Sequence, residues 1–325
     1  MSGDTVVRWS PVHVRFDAEG SPLVELVAFE ERGLAQPLFD MDVERWLRNP
    51  ASLLLRRTIG LGELEALVPA PPRLVGLVFH QSRCGSTLVT QCLSLVPDCV
   101  ALAEPTCLEF ALRGAPDRLD RDTRVRLLRA LVHAMAAPHA SRAVLKVEAT
   151  QALDHELLRS AFPTTPRVFL HRDPVRVLAK NLEHIGGRLL PGAIDPARLG
   201  LPPDGPFRMP FEEYATTVLA ALTRAMLATD EAESGLFVDH AELPWPGLAR
   251  IAAHFDLELD EQVHERLAER ARLDAKHPER RYAEPDVPAD PMLVELVARH
   301  FQGMTAELAR RSRASEESDA QRFSR

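Results

Sequence analysis

Lysine is nearly absent from this chain: Lys146, Lys180 and Lys276 are three among 39 basic residues, and the rest are arginine. Lysine-rich tails and patches are thereby excluded. With a formal net charge of −8 and a pI near 5.9, the chain also lacks the basic footprint that duplex binding requires, so no nucleic-acid partner is expected. Cysteine is scarce too. Cys84, Cys92, Cys99 and Cys107 form no C-x-x-C pair, which removes zinc spacing, and a chain of 325 residues needs no disulfide frame. Reduced thiols and no metal site are expected. No run of about 18 uninterrupted apolar residues occurs, and Met1–Arg8 lacks the charged-then-apolar layout of a secretory leader. A soluble cytoplasmic protein without a membrane partner is the expectation, its oligomeric state open.

What is present is a core-forming chain, 46% hydrophobic and 26% charged. Residues 1–70 mix short alternating runs, "VHVRF" and "LVELVAF", with proline and a predicted helix over Met41–Arg57; they read as a small β-rich extension without a chemical motif. From Leu74 onward the pattern changes. Strand-like runs at Leu74–Phe79, Val100–Leu102, "RAVLKVE", "RVFLHRD" and "GLFVDH" alternate with helical patterns such as Ser86–Val96, Arg121–Met135, Val175–Ile185 and Phe211–Thr229. Such alternation predicts an α/β fold, a three-layer parallel sheet with helices on both faces and right-handed crossovers. Residues 186–210, rich in Gly and Pro, read as a mobile loop able to cover a site. One helix over Pro291–Arg311 and a disordered polar tail at 313–325 close the chain, leaving 71–312 as the main domain.

The stretch "FHQSRCGSTLVTQCL", Phe79–Leu93, sets a polar bend between a buried strand and a helix. The first N–H groups of a helix lack intrahelical partners, and the peptide dipoles leave about half a positive charge there, so anions bind such ends. Gly85 allows close backbone approach, Ser86 and Thr87 add hydroxyls, and Arg83 offers a planar fork matched to phosphate oxygens. The nucleoside-triphosphate loop G-x-x-x-x-G-K-[ST] does not fit, because its lysine and first glycine are missing. A cysteine phosphatase needs arginine six places after its nucleophile, where Thr90 follows Cys84.

A second basic residue, Arg172, ends the strand "RVFLHRD", where open α/β sheets bind ligands, and Pro174 opens the next helix. The letters HRD match part of the protein-kinase catalytic loop, but Leu178 stands where that loop needs Asn and no G-x-G-x-x-G exists.

Together "SRCGST", "EP", "LKV", "FLHRDPVRVLAKN" and "FVDHAEL", between about Leu74 and Tyr282, resemble the sulfotransferase family, which uses 3′-phosphoadenosine 5′-phosphosulfate (PAPS). The resemblance implies the P-loop NTPase-like fold of that family, with the bacterial and protein-tyrosine branches nearest in layout. It implies that Ser82, Arg83, Cys84, Gly85, Ser86 and Thr87 hold the 5′-phosphosulfate, Ser82 replacing the usual Pro and Cys84 the usual Ser. Arg172 would hold the 3′-phosphate with Lys180, which stands where the family has a serine. Glu104 resembles the family's general base and Lys146 the lysine near the transferring group, which with Arg83 makes up the catalytic set. Lys276, Arg280 and Arg281 fall in a late loop that in relatives closes over the phosphates.

The function so implied is in-line, metal-independent sulfuryl transfer to a hydroxyl or amine of a small-molecule or peptide acceptor. Two alternatives stay open on the residues alone: a kinase with a degenerate P-loop, and a non-catalytic nucleotide-binding module. His80, His171, His184 and His240 lie near predicted loop ends, any one of them an alternative base. Tyr214, Phe207 and Phe211 are candidates for an acceptor pocket or for core packing.

Overall fold

The computed structural model describes residues 7–30, 34–114, 119–228, 235–277, 279–283 and 290–323, with side chains described as far as residue 315. The Met1–Arg8 reading and the end of the predicted tail therefore fall partly outside the described residues, as does Thr229.

The N-terminal extension is an antiparallel sheet of three strands, β1 (Arg8–Phe16), β2 (Pro22–Phe29) and β3 (Arg56–Gly60), in the order β1-β2-β3. The single helix expected over Met41–Arg57 is instead two, α1 (Phe39–Leu47) and α2 (Pro50–Leu54), followed at once by β3. Pro50 is the reason: its ring cannot continue a helix but suits the first turn of a new one, which Asn49 caps by accepting from the Ala51 N–H at 3.0 Å. The short helix α3 (Leu61–Leu67) leads on to the main sheet.

That sheet has five parallel strands, β4 (Arg73–His80), β5 (Cys99–Ala103), β6 (Arg142–Lys146), β7 (Arg167–His171) and β8 (Leu236–Asp239), in the order β5-β6-β4-β7-β8. Seven of the eight residues of β4 are buried, as a strand covered on both faces demands. Close packing explains Gly76 in its middle: a Cβ there would lie 2.4 Å from the Phe255 ring.

One face is covered by α4 (Ser86–Leu93), α10 (Gly247–His254) and α11 (Glu261–Ala271), with Val89, Leu93, Ile251, Phe255 and Val263 forming a core against Val75 and Val78. The other face packs α5 (Cys107–Arg113), α6 (Arg121–Ala136) and α7 (His155–Ala161), and the same cluster runs on without interruption into Val24, Leu26 and Trp46 of the extension. A separate cluster joins α8 (Pro174–Glu183), α9 (Phe211–Leu227) and α12 (Pro291–His300) to one another.

The Gly/Pro-rich segment at 186–210 folds as three short 3₁₀ turns, with Ile194 and Leu199 buried against Tyr214 and Val218. The expected C-terminal helix is also two: Gly303, at φ +74°, separates α12 from α13 (Met304–Phe323). Thus α13 runs on through residues expected as a disordered tail. Among the described residues no helix is long and apolar enough to cross a membrane.

The strand order decides where chemistry can sit. From β4 the chain passes outward to β5 and returns through β6, then crosses to β7 on the other side, so a crevice opens at the carboxyl ends where the direction of winding reverses. His80 ends β4, Lys146 ends β6, His171 ends β7 and Asp239 ends β8, while Glu104 follows β5 directly.

Candidate active site

The carboxyl edge of the main sheet opens into a cavity of about 1510 Å³, lined among others by Ser82, Arg83, Gly85–Thr87, Glu104, Arg172, Lys180 and Lys276. The β4–α4 bend is its floor. Ser82 (φ +68°), Arg83 (φ +50°) and Gly85 (φ +86°) all adopt the left-handed conformation, which is strained for the two non-glycine residues. Gly85 is also the N-cap of α4, and no side chain caps that end. A Cβ at Gly85 would meet Leu243 Cδ1 at 2.6 Å and His240 Nδ1 at 3.0 Å, so here glycine is required by both φ and space.

Basic groups converge on this bend from two further segments, beside the bend's own Arg83. Arg172, 8% exposed, donates to the Arg83 carbonyl at 3.2 Å, so its guanidinium faces the bend and shares its cavity. Its own N–H is held by the side-chain carbonyl of buried Gln81, 3.2 Å away, whose amide nitrogen donates to Thr223 at 2.7 Å. Arg83 donates to the His184 carbonyl at 2.9 Å. Lys276 enters from the late loop and lines the cavity while remaining exposed; partial desolvation first, and then the positive charges of Arg83 and Lys146 against the opposing Glu104, hold it below the ordinary lysine range.

Lys146 stands one layer behind the wall. It is fully buried, with Nζ 2.9 Å from Glu104 Oε1 and 3.3 Å from Thr87 Oγ1. Burial pushes the Glu104 carboxyl up, but the ammonium of Lys146 and the His80 ring outweigh it and hold the carboxyl well below the usual carboxylate range. Glu104 itself has φ +54°, and its N–H donates to the Lys146 carbonyl at 2.8 Å, which turns its side chain toward the cavity.

His80 completes the group: Nε2 lies 3.0 Å from the Val147 carbonyl and 3.3 Å from Glu104 Oε1, and Nδ1 faces the Ser82 N–H at 3.0 Å. Burial disfavours charge on this ring, whereas Cys84 and Glu104 favour it and would raise it to about 9. The Ser82 N–H decides against that charge, since a donor aimed at Nδ1 needs a lone pair there. Cys84 donates its S–H to the Leu170 carbonyl at 3.4 Å and so brings no negative charge to the ring. The ring is neutral, with its proton on Nε2.

Other expected residues fall elsewhere. The Cys84 side chain is fully buried and points into the core, not into the cavity. Lys180 lines the cavity but pairs with Glu183 at 2.9 Å. Arg280 and Arg281 are exposed and are not among the lining residues; Arg280 lies 3.4 Å from Glu279, and Arg281 bridges back to Leu273. All three loop cations are exposed, and Lys276 is the one of them that lines the cavity. Tyr214 is fully buried in the core, Phe207 is exposed, and Phe211 packs partly buried beside Tyr214.

Three contributors carried no signal. Leu38 and Asp40 of the extension reach the cavity wall, and Asp40 accepts from the Thr106 N–H at 3.2 Å and from its hydroxyl, binding the extension to the segment just after Glu104. Gln81 stands directly before the "SRCGST" stretch, but nothing in that pattern gives an amide a role there.

No family profile matches the chain, and no curated protein matches it. Among solved structures, a sulfotransferase from Mycobacterium avium superposes with a TM-score of 0.48 at 15% identity, covering 74% of this chain and 82% of that one. A sulfotransferase from Alicyclobacillus acidocaldarius gives 0.47 at 16% identity, over 74% and 96% of the two chains. The sulfotransferase domain from the curacin biosynthetic pathway gives 0.42 at 13%, over 71% and 98%. Likeness at this level assigns no role to any residue.

Proposed function

We propose that this chain transfers a sulfuryl group from 3′-phosphoadenosine 5′-phosphosulfate to a hydroxyl or amine of an acceptor. The observation that carries the reading is the convergence of Arg83, Arg172 and Lys276 on an uncapped, left-handed strand-to-helix bend, with a buried Lys146–Glu104 pair beside it. Like charges gathered this closely oppose one another, and a ligand with several negative charges relieves the opposition, which is why the residues fit a doubly phosphorylated donor.

When bound, that donor supplies the sulfuryl group, whose bond to the bridging phosphate oxygen breaks as a bond to the acceptor forms. Residues Gly85–Thr87 offer their free amides and Arg83 its guanidinium to the charge that develops on the leaving oxygen. Arg172 grips the second phosphate. Glu104 takes the acceptor's proton. In the resting site its basicity is suppressed by Lys146, but Lys146 also touches Thr87 on the first turn of α4. An anion seated on that turn draws the ammonium away from Glu104, and the carboxylate regains its strength as a base at the moment the donor is in place. No resident metal is called for, since fixed cations and backbone dipoles neutralise the leaving group.

Thermal stabilisation by 3′-phosphoadenosine 5′-phosphate, ATP and AMP tests the reading first. A clearly larger shift with the bisphosphate, followed by transfer of labelled sulfate from PAPS to a panel of phenols, alcohols and amines, is the expected result. Preference for ATP with magnesium would point to phosphoryl transfer instead, and stabilisation without transfer to any acceptor would make the chain a nucleotide-binding module.

A further inference from the structure

His80 is 4% exposed, closes β4, and joins three segments that meet at the site: the bend through the Ser82 N–H, the end of β6 through the Val147 carbonyl, and the segment after β5 through Glu104. Its geometry is directional. With Nδ1 occupied as an acceptor, the only ring proton is on Nε2, which lies 3.0 Å from the Val147 carbonyl and 3.3 Å from Glu104 Oε1, so the two oxygens share one donor. Lys146 Nζ reaches the same oxygen, Oε1, at 2.9 Å. Both a cationic and a neutral group thus approach one carboxylate oxygen, and among the described residues no hydrogen bond to Oε2 is found. Since Glu104 lines the cavity, Oε2 is the oxygen left for an incoming acceptor.

We propose that His80 is a positioning residue which, by donating from Nε2 to Glu104 Oε1, fixes the carboxylate so that Oε2 faces the acceptor's proton. The proposal rests on the sulfuryl-transfer reading of Glu104 as base. Lys146 alone cannot set this orientation: an ammonium on a flexible stem is a point charge that swings with the carboxylate, whereas the imidazole is pinned at two other points. If an anion on the bend draws Lys146 toward Thr87, as the mechanism above requires, His80 becomes the contact that keeps Glu104 aimed while its basicity returns.

The test uses two polar replacements of similar size. The amide nitrogen of Gln reaches the place of Nε2, whereas that of Asn stops near the place of Nδ1. His80→Gln should keep kcat within about threefold of the parent, and His80→Asn should lose about 10- to 100-fold in kcat with the KM for PAPS nearly unchanged, since a misplacement of about 1 Å in a reacting group can cost that much. A second readout needs no turnover: the Glu104 carboxylate 13C resonance in the nucleotide-free protein should move in the Asn variant and stay in the Gln variant, and the parent's His80 15N pattern should be that of a ring protonated on Nε2. Equal kcat in the two variants, or a Glu104 resonance indifferent to both, overturns the proposal even where the parent transfers sulfate normally. A parent that transfers no sulfate, but whose Glu104 resonance follows Nε2 as described, overturns the sulfuryl-transfer reading and leaves the contact standing.

Discussion

Two strand-to-helix turns at the same sheet edge, after β4 and after β7, have been finished in opposite ways. The turn into α8 is closed from within: the Asp173 side chain accepts the Val175 N–H at 2.8 Å, and Pro174 removes a donor at the first helical position. The turn after β8 is closed likewise, Asp239 accepting the Ala241 N–H at 2.8 Å while Glu242 returns a contact to the Asp239 N–H, also at 2.8 Å. The turn into α4 has no such carboxylate; it has glycine, two hydroxyls and a backbone strained into the left-handed region. Each of these starts leaves backbone N–H groups without intrahelical partners, and two satisfy them with their own acids while one leaves them for a ligand. A helix start that lacks its own anion, in a cavity with converging cations, marks the ligand; a helix start as such does not.

The sharpest way to break this contrast is at the chemistry beside the open turn. Glu104→Gln should lower turnover by about 100- to 10,000-fold, the usual contribution of a positioned base, while the bisphosphate product binds nearly as before. Gln keeps an oxygen for Lys146, but the buried ammonium loses its counter-charge, so a lower melting temperature is also expected, and a calorimetric binding curve on the folded variant separates the two effects. Full turnover would remove Glu104 from the role.

The next largest effect distinguishes neighbouring residues on the closed turn. Arg172→Ala should weaken bisphosphate binding by about 1.5 to 3 kcal/mol, roughly 10- to 150-fold, since it removes a charge-assisted donor. Asp173→Ala, one residue on, should leave that affinity unchanged and lower stability by about 1 kcal/mol, the typical cost of a lost N-cap. Isothermal titration and chemical denaturation of both variants read the difference. If Asp173→Ala weakened the bisphosphate as much as Arg172→Ala, the closed turn would belong to the ligand after all.

Much of this was legible in the letters, for physical reasons that differ by residue. The order of strands and helices was written in apolar runs and their spacing, because a sheet buried on both faces needs near-continuous Val, Leu and Phe. The open bend was legible because Gly85, Ser86 and Thr87 sit contiguously, and the cavity-lining Lys276 because lysine is so rare here. What escaped was anything decided by contacts distant in sequence. Asp40 reaches the wall through a hydrogen bond to a residue 66 positions away, and Gln81 backs Arg172 across 91. His80 could be named as a candidate base, but its part as a donor to Glu104 depends on which nitrogen the Ser82 N–H occupies. Cys84 fitted the motif by position alone, while its side chain turned to the core. Arg280 and Arg281 stay outside the cavity that Lys276 lines, a division that no composition reveals.

The smallest effect concerns that last group, where the open turn predicts a pH dependence with a definite sign. Partial desolvation and the charges of Arg83 and Lys146 disfavour the ammonium of Lys276 in the free site, so it sheds its proton at lower pH than an ordinary lysine. A bound bisphosphate favours that ammonium and returns it toward the usual range, so binding is full strength below the free-site value and weakens as pH rises through it. Titrations between about pH 8 and about pH 10, where phosphates are already fully ionised, should show affinity for the bisphosphate falling several-fold in the parent. In Lys276→Met the affinity should be lower at the start and the fall much flatter. Arg280→Ala and Arg281→Ala should keep the parent's affinity within about twofold and its slope unchanged, because neither lines the cavity and their exposed charges are screened by salt. A parent whose affinity is flat over this span, or arginine variants that abolish the slope, would place the titrating cation in the wrong part of the loop.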